Sequence, residues 1–260
     1  MRYLGCLLVF MVAFAGSDPS LVQAAQEVTV AAASDLNFAF KEMTALFEKT
    51  TGTHVKLSLG SSGNFFSQIQ NGAPYDLYFS ADSRYPQKLV ESGHAVASSL
   101  YIYAVGRIVL WVLKPSLLQI EQRGLDVLLD PTVKKIAIAN PKHAPYGRAA
   151  VAAMEQAQVY ERIKNKLVLG ENVSQTAQFV ESGAADIGVI ALSLALAPPM
   201  QVVGRYKEIP NEAHPPLVQG AALLTGASHQ VEAQAFLSFL QSAEGQAIMT
   251  RYGFVVPDKR

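Results

Sequence analysis

VTVAAASDLNFAFKEMTALFEKTTGTHVKLSLGSSGN, residues 28–64, sets the pattern of the chain. Val28 to Ala33 is an apolar run of strand length that ends at Ser34-Asp35. From Leu36 the apolar residues recur at Phe40, Met43 and Phe47, one face of a helix over 36–49, and Gly52 follows as a stop. Val55, Leu57 and Leu59 alternate, a strand over 54–59, which runs into Gly60-Ser61-Ser62-Gly63-Asn64. Strand, tight turn, helix and strand form the unit of a parallel sheet, because parallel neighbours need a crossover.

The same alternation continues outward. A short helix is expected over 64–71, a strand over 76–80, a helix over 85–92 with Gly93 at its end, and a long apolar strand over 107–113. Next come a strand at 135–139, an Ala-rich helix at 147–158, a strand at 167–169, a helix at 172–182 and a strand at 186–190. Val202-Val203 reads as a weak strand, 217–225 as a strong one, and two helices, about 229–240 and 243–252, close the chain. About a dozen strands exceed one small sheet, so an α/β protein of two lobes is expected, each a mostly parallel sheet flanked by helices. The strands at 107–113 and 217–225 mark where the chain would cross between lobes.

Composition narrows the function. Half of the 260 residues are apolar and 16% are charged, with 21 basic and 21 acidic residues. A neutral chain without a basic run lacks the footprint of a nucleic-acid binder. Residues 4–15 are apolar or small after the basic start Met1-Arg2-Tyr3, too short a run to span a bilayer but suited to a secretory signal peptide. The small residues at Val22-Gln23-Ala24 place cleavage after Ala24. That removes Cys6, the only cysteine, which lies at the front of the apolar run, where a lipidated cysteine would follow it.

Four strand-to-helix turns carry the chemistry: Ala33-Ser34-Asp35, Gly60 to Asn64, Pro141 to Gly147, and Gly170-Glu171-Asn172-Val173. In open α/β sheets ligands sit beyond the carboxyl ends of strands. Free amides and the helix dipole there favour an anion. Ser34, Ser61 and Ser62 add hydroxyls, and Gly63 and Gly147 allow close backbone approach. Each turn alone also reads as ordinary capping or turn chemistry, with Ser34 or Asp35 as an N-cap. Enzyme signatures are missing from the sequence: no G-x-S-x-G surrounds Ser61 or Ser62, the five histidines form no pair, and there is no G-x-G-x-x-G or P-loop. Only His143 lies near one of the four turns. Asp76 and Asp82 read as packing and turn residues more readily than as cation ligands.

The stretches VAAASDL (30–36), GSSG (60–63), QNGAPYDLYFSAD (70–82), NPKHAPYG (140–147), ENV (171–173) and RYGF (251–254) resemble the periplasmic molybdate-binding proteins of ABC importers. That family has the two-lobed type II periplasmic solute-binding fold. The resemblance runs from about Val28 to Pro257. It implies a signal peptide at 1–24, one lobe from 25–107 and 208–260, a second from 108–207, and a ligand cleft between them. It also implies capture of molybdate, with tungstate as a near-equivalent, for delivery to a membrane permease. No catalysis and no cofactor are implied, and a periplasmic monomer is expected.

Carried over by position, Ser34 and Ser62 would donate hydroxyl and backbone N–H, and Tyr146 and Val173 backbone N–H. Asp35, Ser61, Gly63 and Asn172 are further candidates. All would meet the metal only through its oxygens. Some members have a tyrosine where this chain has Ala191, and Tyr146 is expected to compensate by closing the pocket. Asp35 is expected to turn away from the anion and cap a helix. Three other readings stay open: a binder of sulfate, phosphate or a small organic anion; a sensor domain on the same fold; and an extracytoplasmic hydrolase using Ser62.

Overall fold

The computed structural model describes residues 26–257. The expected signal peptide, Cys6 and the cleavage site after Ala24 lie outside the described residues. The first part of the chain alternates as expected: β1 (Glu27–Ala33), α1 (Asn37–Thr51), β2 (His54–Gly60), α2 (Ser62–Gln70), β3 (Leu77–Ser80), α3 (Arg84–Glu91) and β4 (Tyr101–Gly106). A single 3-10 turn, Ser34–Leu36, joins β1 to α1. The middle part holds β5 (Ile108–Leu113), α4 (Ile120–Arg123), β6 (Ile136–Ala139), α5 (Pro145–Gln156), α6 (Tyr160–Ile163), β7 (Leu167–Gly170) and α7 (Val173–Glu181). It continues through β8 (Ile187–Ala191), α8 (Leu192–Ala195), α9 (Pro198–Val203) and β9 (Gly204–Glu208). Then come β10 (Leu217–Leu223), α10 (Gln230–Leu240) and α11 (Ala243–Arg251).

These strands build two five-stranded sheets, β2-β1-β3-β10-β4 and β7-β6-β8-β5-β9. In the first, β1 runs parallel to β2 and β3, while β10 is antiparallel to both β3 and β4. In the second, β6 is parallel to β7 and β8, and β5 is antiparallel to β8 and β9. Each sheet therefore has four strands pointing one way and one reversed. The reversed strands, β5 and β10, are the first that the chain makes after crossing to a new sheet.

Two expectations are corrected. The strand expected over 107–113 is preceded by another, β4, and Arg107 stands between the two sheets. Val202-Val203 is not a strand but the last turn of α9, because Pro198 and Pro199 start a helix there. The strand follows, in the polar sequence Gly204–Glu208.

Burial of apolar side chains builds the layers around each sheet. In the first lobe, Phe40 and Phe47 of α1 pack on Phe79 of β3 and Phe236 of α10, edge to face at 4.9–6.0 Å between ring centres. On its other face Phe65, Ile69 and Leu89 cover Ala31 and Tyr78. In the second lobe Trp111, Ile136, Ile138 and Ile190 are fully buried under α5 and α7. Two firm layered bodies result, with the carboxyl ends of β1, β2, β6 and β7 facing a common cleft.

Candidate functional site

A small pocket, with about 10 Å³ of free space, lies where those four strand ends meet. That is about the room of a single water molecule, so the lobes close tightly over the site. Ala33, Ser34, Asp35, Gly60, Ser61, Ser62 and Ala81 line it from one lobe; Ala144, Pro145, Tyr146, Asn172 and Val173 line it from the other. Seven of the eight residues singled out by sequence are on this wall. None of the lining residues is basic.

Helix starts supply its donors. Ser62, Tyr146 and Val173 are each within the first two residues of α2, α5 and α7, where amides have no carbonyl partner inside the helix. Both α2 and α5 begin two residues earlier than periodicity predicts, so Ser62 and Tyr146 belong to helical first turns and not to loops. The Ser62 hydroxyl accepts from the Ala81 amide at 3.0 Å, and its carbonyl accepts from Tyr78 Oη at 2.6 Å. Asn172 is an N-cap: its side-chain oxygen accepts from the Gln175 amide at 3.0 Å.

The remaining candidates tie lobe to lobe. Ser34 accepts from Ser174 twice, through its hydroxyl at 3.3 Å and its carbonyl at 2.8 Å. Ser61 Oγ donates to the His143 carbonyl at 2.7 Å and lies 2.9 Å from His143 Nδ1. Gly63 is the candidate that does not line the pocket; its amide donates to the same carbonyl at 2.9 Å. Asn64 and Glu171 are hydrogen-bonded across the cleft. Outside the pocket Arg148 pairs with Asp82 at 2.7 Å. Burial works against ionisation of Asp82, but the bonds from Arg84 and the charge of Arg148 outweigh it and hold the carboxyl below its usual range. The lobes are thus closed on each other.

Asp35 departs from expectation. It caps no helix. Its carboxylate is buried, and Oδ2 accepts from Tyr146 Oη at 3.0 Å and from Gln219 Nε2 at 2.8 Å. Gln219 Nε2 also reaches Tyr146 Oη at 3.1 Å, and Gln219 Oε1 accepts from Tyr103 at 2.7 Å. Ser193 Oγ donates to the Asp35 carbonyl at 2.7 Å. Burial raises the Asp35 carboxyl to about 6, against the pull of the Gln219 and Tyr146 bonds. Burial also raises the Tyr146 and Tyr103 phenols. Tyr146 therefore lines the pocket and fastens the opposite lobe with its hydroxyl.

Gln219, Tyr103, Ser193, Ser174 and Arg148 were not anticipated. Gln219 carried a signal, as the one long polar side chain in the apolar strand LVQGAAL, and so did Ser193 in the run ALSLAL. Asp76 and Asp82 hold packing roles: Asp76 accepts from Thr29, Ser228 and His229, and Asp82 from Arg84 and Arg148. The Ser62 hydroxyl meets the Ala81 amide, while His143 turns to Ser61. Among the described residues no group of three or more His, Cys, Asp or Glu could hold a metal ion, and no helix is long and apolar enough to cross a membrane.

A two-lobed α/β protein with a donor-lined cleft is the architecture of a solute-binding protein. The chain belongs to the bacterial extracellular solute-binding protein family, whose model matches residues 28–255. It is 38% identical over 240 residues to the molybdate-binding protein ModA of Rhodobacter capsulatus, covering 91% of each chain. Among solved structures, the periplasmic molybdate-binding protein of Azotobacter vinelandii matches with a TM-score of 0.83 and 33% identity, over 89% of this chain and all of that one. The sulfate-binding protein SubI of Mycobacterium tuberculosis, at 16% identity and a TM-score of 0.71 over 90% of this chain and 88% of that one, shares the fold alone.

Proposed function

We propose that this protein captures a tetrahedral oxyanion, molybdate first and tungstate as a near-equivalent, and carries it to a membrane permease of an ABC importer without chemically altering it. The observation that carries the reading is the pocket itself. It is small, has no basic side chain, and is lined by serines and helix first turns from both lobes. A dianion buried among neutral donors must be met by several hydrogen bonds, since an unpaired buried charge is very costly. Ser34, Ser62, Tyr146 and Val173 supply them in this reading, and no side chain ligates the metal atom. The names of the relatives support molybdate. The likeness to SubI, over 88% of that chain, speaks for the fold and not for sulfate.

Binding across both lobes stabilises the closed state by the ligand's differential affinity for it. We take Arg107, between β4 and β5, and residues 209–216, between β9 and β10, as the hinge, so that the second lobe runs past the expected boundary at 207 to the end of β9. We take the secreted chain as starting after Ala24, and the working form as a periplasmic monomer. The test is thermal unfolding of the secreted chain with molybdate, tungstate, sulfate and phosphate. An anion at about 100 times its dissociation constant adds roughly 2.7 kcal/mol. A rise with molybdate and tungstate, and none with sulfate or phosphate, is expected. No rise with molybdate at millimolar concentration overturns the reading.

A further inference from the structure

An acidic side chain in the wall of an anion pocket needs an account. Tyr103 Oη donates to Gln219 Oε1, which turns Gln219 Nε2 toward Asp35 and Tyr146. Tyr146 Oη accepts from that amide and so donates to Asp35 Oδ2. Oδ2 thereby receives two donors. Oδ1 is buried and has no hydrogen-bond partner among the described residues. Asp35 itself lines the pocket. A proton on the carboxyl therefore goes to Oδ1, the unpartnered oxygen of a residue in the pocket wall.

We propose that Asp35 enters the loaded site as a neutral carboxylic acid whose Oδ1–H donates to one oxygen of the bound anion, so that each dianion is captured together with one proton. The inference rests on the oxyanion reading above and deepens it. The proton comes from solvent, and no covalent bond forms or breaks. A carboxylate at this place would repel the ligand, whereas the acid adds a donor and leaves Oδ1 partnered.

The surroundings leave Asp35 as the group that responds. Tyr146 on α5 and Tyr103 on β4 face it, and burial holds both phenols above their ordinary range. Of the elements packed on the Ser34–Leu36 turn, α8 has no ionisable residue. The only one in α7 is Glu181, its last residue. In β2, His54 and Lys56 lie at the end away from Gly60, and the charged residues of α1 begin at Lys41. Across the pocket stands His143, 2.9 Å from Ser61 Oγ and 3.8 Å from Glu171, and farther out Arg148 is paired with Asp82. The raised Asp35 carboxyl agrees with the geometry, since a bound dianion raises it further.

The experiment is calorimetric titration of the secreted chain with sodium molybdate in two buffers of different ionisation heat, from about pH 6 to about pH 8.5, repeated with Asp35→Asn. The wild type is expected to take up close to one proton per anion at the alkaline end, with affinity falling about tenfold per pH unit there. Asp35→Asn, which keeps a donor without a titrating group, is expected to bind with no proton uptake and no pH slope. Binding by the wild type without proton uptake overturns the inference and leaves the oxyanion reading standing. A pH slope that persists in Asp35→Asn assigns the proton to His143 and overturns it equally. The wild-type proton count decides alone where the variant does not fold. Absence of molybdate binding by both proteins at every pH overturns the oxyanion reading, and this inference with it.

Discussion

The Gly63 amide of one lobe donates to the His143 carbonyl of the other at 2.9 Å, and a Cβ on Gly63 would lie 2.6 Å from that same oxygen. Backbone meets backbone there, so neither side can yield by turning a side chain. Gly63 sits in the first turn of α2, where alanine is well tolerated by the helix itself. Gly63→Ala is therefore expected to leave the first lobe as stable as before, or up to about 1 kcal/mol more so. It is also expected to prevent full closure, abolishing the molybdate-induced rise in melting temperature. An unchanged rise would show that closure does not need this approach.

Arg148 and Asp82 form the ion pair that spans the cleft mouth, with side chains 33% and 12% exposed. Partial exposure limits its worth to roughly 1 kcal/mol. Arg148→Met is expected to weaken anion binding about fivefold at low salt, and the gap to wild type is expected to narrow as salt rises. Dissociation constants at two ionic strengths check both statements.

Ser62 and Ser34, both proposed to meet the anion, make different contacts within the protein. Ser62 Oγ accepts the Ala81 amide within its own lobe, whereas Ser34 bonds Ser174 across the cleft. Both Ser→Ala variants are expected to lose anion affinity. Only Ser62→Ala is expected to melt earlier without any anion, by the roughly 1–2 kcal/mol of an orphaned buried amide. Equal melting of the two apo variants would contradict this division.

Asp76 anchors the far end of the first sheet. It accepts from the Thr29 amide and hydroxyl, both at 2.7 Å, from the Ser228 amide at 2.8 Å and from the His229 amide at 3.1 Å. Burial opposes its ionisation, but these bonds prevail and hold the carboxyl below its ordinary value. Its contribution is therefore complete above about pH 4 and lost as pH falls through the folded-state value. Asp76→Ala is expected to cost about 3 kcal/mol in urea unfolding at neutral pH and markedly less near pH 2.

The strand-to-helix turns were legible because each advertises itself locally: an apolar run, then small or polar residues, then helical periodicity. That was enough to bring Ser34, Ser61, Ser62, Tyr146, Asn172 and Val173 to one pocket wall. β9 was missed because its sequence, GRYKE, has no apolar alternation, and the strand signal fell instead on Val202-Val203, which two prolines commit to a helix. The links among Asp35, Tyr146, Gln219 and Tyr103 join residues up to 184 positions apart. No periodicity reports such pairings, since they exist only once both lobes have formed and met. Asp35 was misread for that reason: its immediate neighbours suggest a cap, while its actual partners come from β10 and α5.

The slot between β3 and β4 is filled by β10, residues 217–223, which are made long after either neighbour. Every strand of the other sheet comes from the single stretch 108–208. A chain emerging from its N-terminus can thus complete the second lobe while the first still lacks a central strand, with β3 and β4 presenting unsatisfied edges. The lobe begun first is finished last. Its assembly has to wait for nearly the whole polypeptide, a delay written into strand order.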